Sequence, residues 1–416
     1  FNLGSALLHQ KRFAEAESLL RGALAVRPDS PEVRTALGAA LSGQDRLEEA
    51  EAECRQVITA QPESVEGWTE LGLICADLGR TTDALACLDV AVRLRPEYAK
   101  AHFARSISLL REGRMAEGFA EYEWRWPMLA ERPRACARPA WDGGPLNGKT
   151  ILLSAEQGLG DAIQFVRYAP LVAARGGRVV VEVPEKLGPL VRTAAGVADV
   201  VTPAMPLPPF DEQAPLMSLP RIFGATLETI PAAIPYLRAD ERLTEEMRVG
   251  LGRAQGPRIG LAWAGNPDHL ANRRRSLTLE ALAPLERLPG IEWYSLHAGD
   301  RACAQARASG WLRAVLSDSG GVAELAALMS CLDLVISVDS MPAHLAGALG
   351  RPVWTLLCLA ADWRWLRERE DAPWYPGMRL FRQTRRGDWE GVVARVCREI
   401  AKGAVQGFDH RTDKHS

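Results

Sequence analysis

Asp339-Ser340-Met341-Pro342-Ala343-His344 directly follows the apolar run Leu332–Val338 and has the residue types that open a helix. Ser340 is a favoured N-cap, Pro342 suits a first helical turn, where its missing amide costs little, and Gly350-Arg351-Pro352 stops the helix. A helix that begins at the carboxyl end of a strand offers free amides and a positive dipole end, where a diphosphate is held well. His344, one turn in, can donate to a phosphate oxygen or a sugar hydroxyl. A single His on an apolar helix serves equally as a packed residue.

Gly158-Leu159-Gly160-Asp161 offers complementary chemistry after the run Ile151-Leu152-Leu153. Two glycines let the backbone approach a ligand, and an Asp that caps the next helix turns a proton-accepting carboxylate toward a cleft. The plain alternative is a turn and a cap, which capping preferences alone favour. Read as a dinucleotide fingerprint, the stretch matches poorly. Gly158 and Gly160 fit and Glu182 stands about 20 residues on, where a ribose-binding acid belongs, but Ile163 replaces the third small residue.

Trp263-Ala264-Gly265-Asn266-Pro267 ends another apolar run, and the loop continues through His269 and Asn272 to Arg273-Arg274-Arg275-Ser276. Three adjacent guanidiniums can neutralise a diphosphate through paired hydrogen bonds, although a solvated loop has the same composition. Asp362-Trp363-Arg364-Trp365 supplies either an aromatic wall or packing. The sequence contains no G-x-S-x-G elbow, HExxH, Walker loop or kinase signature.

These residues need strands that end, and helices that begin, along one edge. From Thr150 a strand at 151–153, a helix over Asp161–Arg175, a strand at Arg178–Val183, a helix near Glu185–Ala195 and a strand at Asp199–Thr202 follow in order. After a helix near Glu241–Arg253, a second series places strands at Arg258–Trp263, Ile291–Ser295, Leu332–Val338, Val353–Leu357 and Arg379–Phe381. Helices separate them at about Thr278–Arg287, Val322–Cys331 and Met341–Leu349, and Trp389–Ile400 forms the last. Near-continuous Val/Ile/Leu strands imply parallel sheets covered on both faces. Two Rossmann-like lobes, 150–240 and 257–402, are therefore expected, with ligands at the carboxyl ends of their strands. Eight prolines between Pro203 and Pro235 predict a loop-dominated stretch that shapes a cleft.

The first third repeats. Pro28, Pro62 and Pro96, Leu3-Gly4, Leu37-Gly38 and Leu71-Gly72, and Ala16, Ala50 and Ala84 all recur at 34 residues. Small residues let one helix pack closely on the next, and proline ends the second helix of each pair. With Trp68 in the aromatic position, this period resembles the tetratricopeptide repeat. Three clear units and a degenerate fourth, with Ser106 and Gly118 in the Gly and Ala positions, fill 1–130. The Pro/Gly/Arg-rich stretch 131–149 reads as a linker that packs on the next domain through Trp124, Trp126 and Trp141, and 403–416 reads as a tail.

Composition bounds the rest. Lys+Arg 50 against Asp+Glu 52 gives a net charge of −2, so no bulk field draws nucleic acid or an anionic membrane. Arg351, Pro352 and Asp362 interrupt the longest apolar stretch, so no membrane span is expected. Eight scattered cysteines without a CxxC pair fit buried thiols in a reducing, cytoplasmic compartment, and no metal site is expected. Phe1 falls inside a repeat motif, so the natural N-terminus is expected upstream.

Three runs carry a wider resemblance: Glu156-Gln157-Gly158-Leu159-Gly160-Asp161-Ala162-Ile163-Gln164-Phe165, Trp263-Ala264-Gly265-Asn266-Pro267, and Ser337-Val338-Asp339-Ser340-Met341-Pro342-Ala343-His344-Leu345-Ala346. With Asp362-Trp363-Arg364-Trp365 and Trp374-Tyr375-Pro376, they resemble bacterial tetratricopeptide-repeat proteins that carry a heptosyltransferase-like glycosyltransferase domain. The domain order also resembles that of O-GlcNAc transferases. The resemblance implies a GT-B fold and metal-independent, inverting transfer from a nucleotide-diphosphate sugar as co-substrate, with no other cofactor. By resemblance the general base is Asp161, and Gly158, Gly160 and Gln164 beside it are acceptor or loop residues. The resemblance implies that Asp339, Ser340 and His344 bind the donor diphosphate with a basic residue among Arg273, Arg274 and Arg275; Asn266, Ser276 and Met341, which replaces a smaller residue, are further donor-binding candidates. The acceptor is a protein presented by the repeats or a glycan. The alternative is a non-catalytic adaptor whose repeats bind a partner protein. A nicotinamide oxidoreductase, which would hold its cofactor at Gly158–Glu182, ranks last.

Overall fold

A computed structural model describes residues 1–129, 138–267, 269, 271–317 and 321–403. The chain divides into two compact units, Phe1–Glu131 with Asp362–Arg367, and Arg132–Ala361 with Glu368–Ser416. Among the described residues no helix is long and apolar enough to cross a membrane.

The first unit is built from helices α1 (Asn2–His9), α2 (Phe13–Val26), α3 (Pro31–Gly43), α4 (Leu47–Ala60), α5 (Val65–Asp77), α6 (Thr81–Leu94), α7 (Ala99–Arg111) and α8 (Met115–Tyr122). Helix starts recur at the sequence period, at 31, 65 and 99 and at 47, 81 and 115. Second helices stop two residues before Pro28, Pro62 and Pro96. The small residues are required by contact: a Cβ on Gly38 would lie 2.6 Å from Cys54 Sγ, and one on Gly72 2.7 Å from Leu88. In the degenerate unit Ser106 is buried and turns its hydroxyl onto the Phe103 carbonyl at 2.6 Å.

Asp362–Arg367 completes this unit, which corrects one of the two readings of that motif. Trp363 meets Phe119 edge to face at 5.6 Å, Arg364 lies over the Trp363 ring and pairs with Asp362, and Arg367 pairs with Glu112 at 2.7 Å. Trp363 and Trp365 are fully buried, so they are packing and no wall of a cleft.

The second unit holds two sheets. Its first lobe contains β1 (Thr150–Ser154), α9 (Leu159–Phe165), α10 (Ala169–Ala173), β2 (Arg178–Glu182), α11 (Gly188–Val191), β3 (Val197–Val201), β4 (Glu212–Pro215) and α12 (Leu219–Ile222). The sheet is parallel in the order β3-β2-β1-β4. The second lobe begins with α13 (Glu241–Leu251), β5 (Arg258–Ala262), α14 (Asn272–Arg275), β6 (Glu292–Ser295), α15 (Asp300–Ser309), β7 (Leu312–Arg313) and α16 (Val322–Ser330). It ends with β8 (Leu334–Val338), α17 (Met341–Ala348), β9 (Val353–Leu357), β10 (Asp371–Ala372), β11 (Tyr375–Arg382) and α18 (Trp389–Ala401). Its order is β10-β11-β9-β8-β5-β6-β7, parallel except for the β10–β11 pair. Strands β5, β8 and β9 are buried along their whole length, as two-sided coverage requires. The helical repeats followed by two α/β lobes give the GT-B layout expected.

Several elements differ from the sequence reading. The helix expected over Asp161–Arg175 is α9, a 3-10 turn and α10, because Pro170 withholds an amide. Pro284 likewise turns the expected helix at 278–287 into a 3-10 helix, Glu280–Arg287, and Gly188-Pro189 reduces the helix near 185–195 to single turns. The proline-rich stretch contains β4, which escaped notice because it is short and carries Glu212 and Pro215. Residues 131–137 of the expected linker lie outside the described residues. Trp141 packs on Phe223 in the second unit, while Trp124 stacks on His102 in the first. Only residue 403 of the expected tail is described.

Candidate functional site

Both sheets reverse their winding beside the residues with chemical promise. In the first, β2 and β4 flank β1 on opposite sides, so a crevice opens after β1, where Gly158–Asp161 lies. In the second, β6 and β8 flank β5, which places the crevice between the loop starting at Trp263 and the turn Asp339-Ser340.

The first turn is held by its own backbone. Gln157 adopts a left-handed φ of 61°, and Gly158 occupies the N-cap position of α9. Asp161 was expected to cap this helix; it stands instead at the third helical position and accepts the Gly158 amide at 2.8 Å through Oδ2. That bond orients the carboxylate. Gly160 faces the other lobe: a Cβ there would be 3.0 Å from His344 Cδ2 and 3.7 Å from Met341 Cα. Helix α9 therefore packs directly on α17, and residues far apart in sequence meet because glycine lets them. Gln164 is fully buried on α9, and its carbonyl accepts from Arg167 Nε at 2.8 Å.

Asp339 and Ser340 leave β8 almost fully buried. Ser340 holds the N-cap position of α17, but its side chain does not cap, contrary to expectation. With φ −158° and ψ 174° the backbone is extended, and the hydroxyl turns back to the Val338 carbonyl at 3.2 Å and Ser337 Oγ at 3.3 Å. His344 is also buried, with Nδ1 2.9 Å from the Tyr375 hydroxyl. His344 is packed, as one of its two sequence readings has it, and it sits where the two lobes touch.

The arginine loop is tied to the end of β5. Ser276 Oγ accepts the Gly265 amide at 3.0 Å and donates to Asn272 Oδ1 at 2.8 Å. The Arg275 guanidinium lies against Gly265, where a Cβ would be 2.8 Å from Nη2. Its buried Nε has no hydrogen-bond acceptor among the described residues. Arg273 and Asn266 are exposed, and Arg274 is half-buried. Because Ala262 pairs with Ser337 across the ladder, this loop and Asp339 leave from adjacent strand ends.

His297 completes this edge and escaped the sequence reading. Its Nε2 accepts the Trp263 and Ala264 amides at 3.1 and 3.4 Å, and its ring meets Trp263 at 4.2 Å. Burial pushes its pKa down to about 4, and the two donated bonds require the neutral form with the proton on Nδ1. Nothing in its residue type marked it; the available signal was its place just after β6.

Residues 7–71 and 69–123 match tetratricopeptide-repeat families, and residues 297–362 match glycosyltransferase family 9 (heptosyltransferase). Residues 7–123 are thus similar to tetratricopeptide repeats, and residues 297–362 to glycosyltransferase family 9. The family 9 match includes Asp339, Ser340, Met341 and His344, and stops short of Asp161 and the arginine loop. Protein FlbA of Caulobacter vibrioides is 30% identical over 346 residues, 76% of this chain, and the chain spans 57% of that relative's length. Among solved structures, E. coli ADP-heptose lps heptosyltransferase II is 14% identical, with 62% of this chain and 99% of that chain covered at a TM-score of 0.45. An O-GlcNAc transferase from Thermobaculum terrenum is also 14% identical, with 97% and 92% covered at 0.34. The family 9 match over residues 297–362 supports glycosyl transfer in general.

Proposed function

We propose that the second unit moves a sugar from a nucleotide-diphosphate sugar to a hydroxyl acceptor, in the cytoplasm, with inversion and without a divalent metal. The observation that carries this reading is the contact of the Gly158–Asp161 turn with α17 through Gly160 and His344. It sets a proton-accepting carboxylate beside the helix that would receive a diphosphate. The acceptor oxygen attacks the anomeric carbon and its proton passes to Asp161. As the bond to the diphosphate breaks, its electron pair leaves with the phosphate oxygen. The first turn of α17 and the Arg275 guanidinium stabilise that charge. The repeats present a protein acceptor.

Turnover of nucleotide sugars on candidate acceptor proteins, measured beside nucleotide binding, tests this. Asp161→Asn abolishes transfer and leaves nucleotide diphosphate binding intact; undiminished turnover removes Asp161 from the mechanism. Chelation with EDTA leaves the rate unchanged, and a rate restored only by added metal refutes the metal-free step.

One observation favours the adaptor reading. Asp161 Oδ2 and His344 Nδ1 are already bonded within the protein. Calorimetry with UDP, ADP, GDP and CMP sugars separates the two readings, since tight binding without turnover on any acceptor supports the adaptor.

A further inference from the structure

Arg167 follows α9 and is buried, yet among the described residues no carboxylate pairs with it. Its charge is met by oxygens and rings. Nε donates to the Gln164 carbonyl at 2.8 Å, Nη1 to the carbonyls of Trp374 at 2.6 Å and Pro231 at 3.3 Å, and Nη2 to the Tyr236 hydroxyl at 2.8 Å. The guanidinium also lies 4.5 Å from the Tyr236 ring and 4.6 Å from the Tyr375 ring. Tyr236 in turn donates to the Ile163 carbonyl at 3.1 Å. One cation thus binds the end of the helix that carries Asp161 to the start of β11 in the other lobe.

Tyr375 transmits this placement. Its ring rests on Gly347, where a Cβ would be 2.3 Å away, and its hydroxyl lies 2.9 Å from His344 Nδ1. A cation over the ring makes the phenol the better donor. Nδ1 is then the acceptor and the imidazole proton sits on Nε2, the form able to donate to a phosphate or sugar oxygen.

We propose that Arg167 and Tyr375 are positioning residues that hold His344 in its Nε2–H tautomer and in register with the Asp161 turn. The pair tolerates burial because every contact is an oxygen or a ring face. The link to transfer rests on the reading above; the tautomer does not.

The test uses the full chain with ¹⁵N-labelled histidine, the His344 signals being assigned by their loss in His344→Gln. Wild type is expected to show the Nε2–H form. Tyr375→Phe, which keeps the stacked ring, is expected to populate both tautomers and to weaken ADP, UDP or GDP binding about three- to tenfold. Arg167→Lys, which keeps the charge but not the fork, is expected to give the same shift toward a tautomer mixture while Arg167→Met gives a larger one. An Nδ1–H wild type, or an unaltered tautomer ratio in Tyr375→Phe, overturns the proposal even if an Arg167 variant fails to fold. A wild type that binds none of the three nucleotides counts against the transferase reading, and the tautomer result still decides the positioning role.

Discussion

After β1, the Gly158–Asp161 turn has its carboxylate bonded by its own backbone and its glycine face sealed by His344. After β5, by contrast, the Arg275 guanidinium lies on Gly265 with a buried Nε that no described residue satisfies. A buried donor without an acceptor destabilises a fold unless something else supplies the oxygen. The difference indicates a division of labour. The turn after β1 is held by the protein's own backbone, and the loop after β5 leaves a buried guanidinium donor without an acceptor among the described residues.

The largest expected effect strikes the preorganised side. Asp161→Asn lowers turnover by roughly 10²–10⁴-fold while nucleotide affinity holds, read by steady-state kinetics and calorimetry. If affinity falls instead, the two sides are not separate. Next comes pH. Folded His297 stays neutral down to about 4, while the unfolded residue takes up a proton near 6.5, so its contribution is whole above 6.5 and is lost as pH falls toward 4. Urea unfolding at pH 7 and pH 4.5 should differ by up to roughly 3 kcal/mol from this group, and His297→Gln should remove that part of the slope.

Arg275→Gln then weakens nucleotide diphosphate binding about 10- to 100-fold without a loss of thermal stability, because its buried Nε has no acceptor among the described residues to forfeit. A lower melting temperature would mean the guanidinium already has structural work. Smallest is Ser340→Ala. Its hydroxyl does not cap α17, so unfolding should shift by less than about 1 kcal/mol. A larger loss would show that the cap forms in solution.

Much of this was legible in the sequence where one periodicity governed a long stretch. The 34-residue repeat gave helix starts, the close Gly contacts and the terminating prolines, because each unit faces the same packing problem. Strands β5, β8 and β9 were legible as near-continuous apolar runs. Elements decided by tertiary contacts were not. Strand β4 is short, begins with Glu212 and ends with Pro215, and its ladder with β1 makes it a strand. Residue types suggested Asp161 and Ser340 as caps, but the observed dihedrals move the cap to Gly158 and turn Ser340 back to β8. His297 and Tyr375 act through groups that only folding brings near, so their chemistry had no local signature.

The Asp362–Arg367 excursion carries a consequence for how such proteins can be cut and recombined. The polypeptide passes between the units three times, near 131, 361 and 367. A repeat module severed at the first crossing alone would lose Trp363 from Phe119 and leave Glu112 without Arg367. Transplanting the repeats onto another domain therefore means carrying a hexapeptide that lies more than two hundred residues downstream, like a button sewn to the opposite side of the garment.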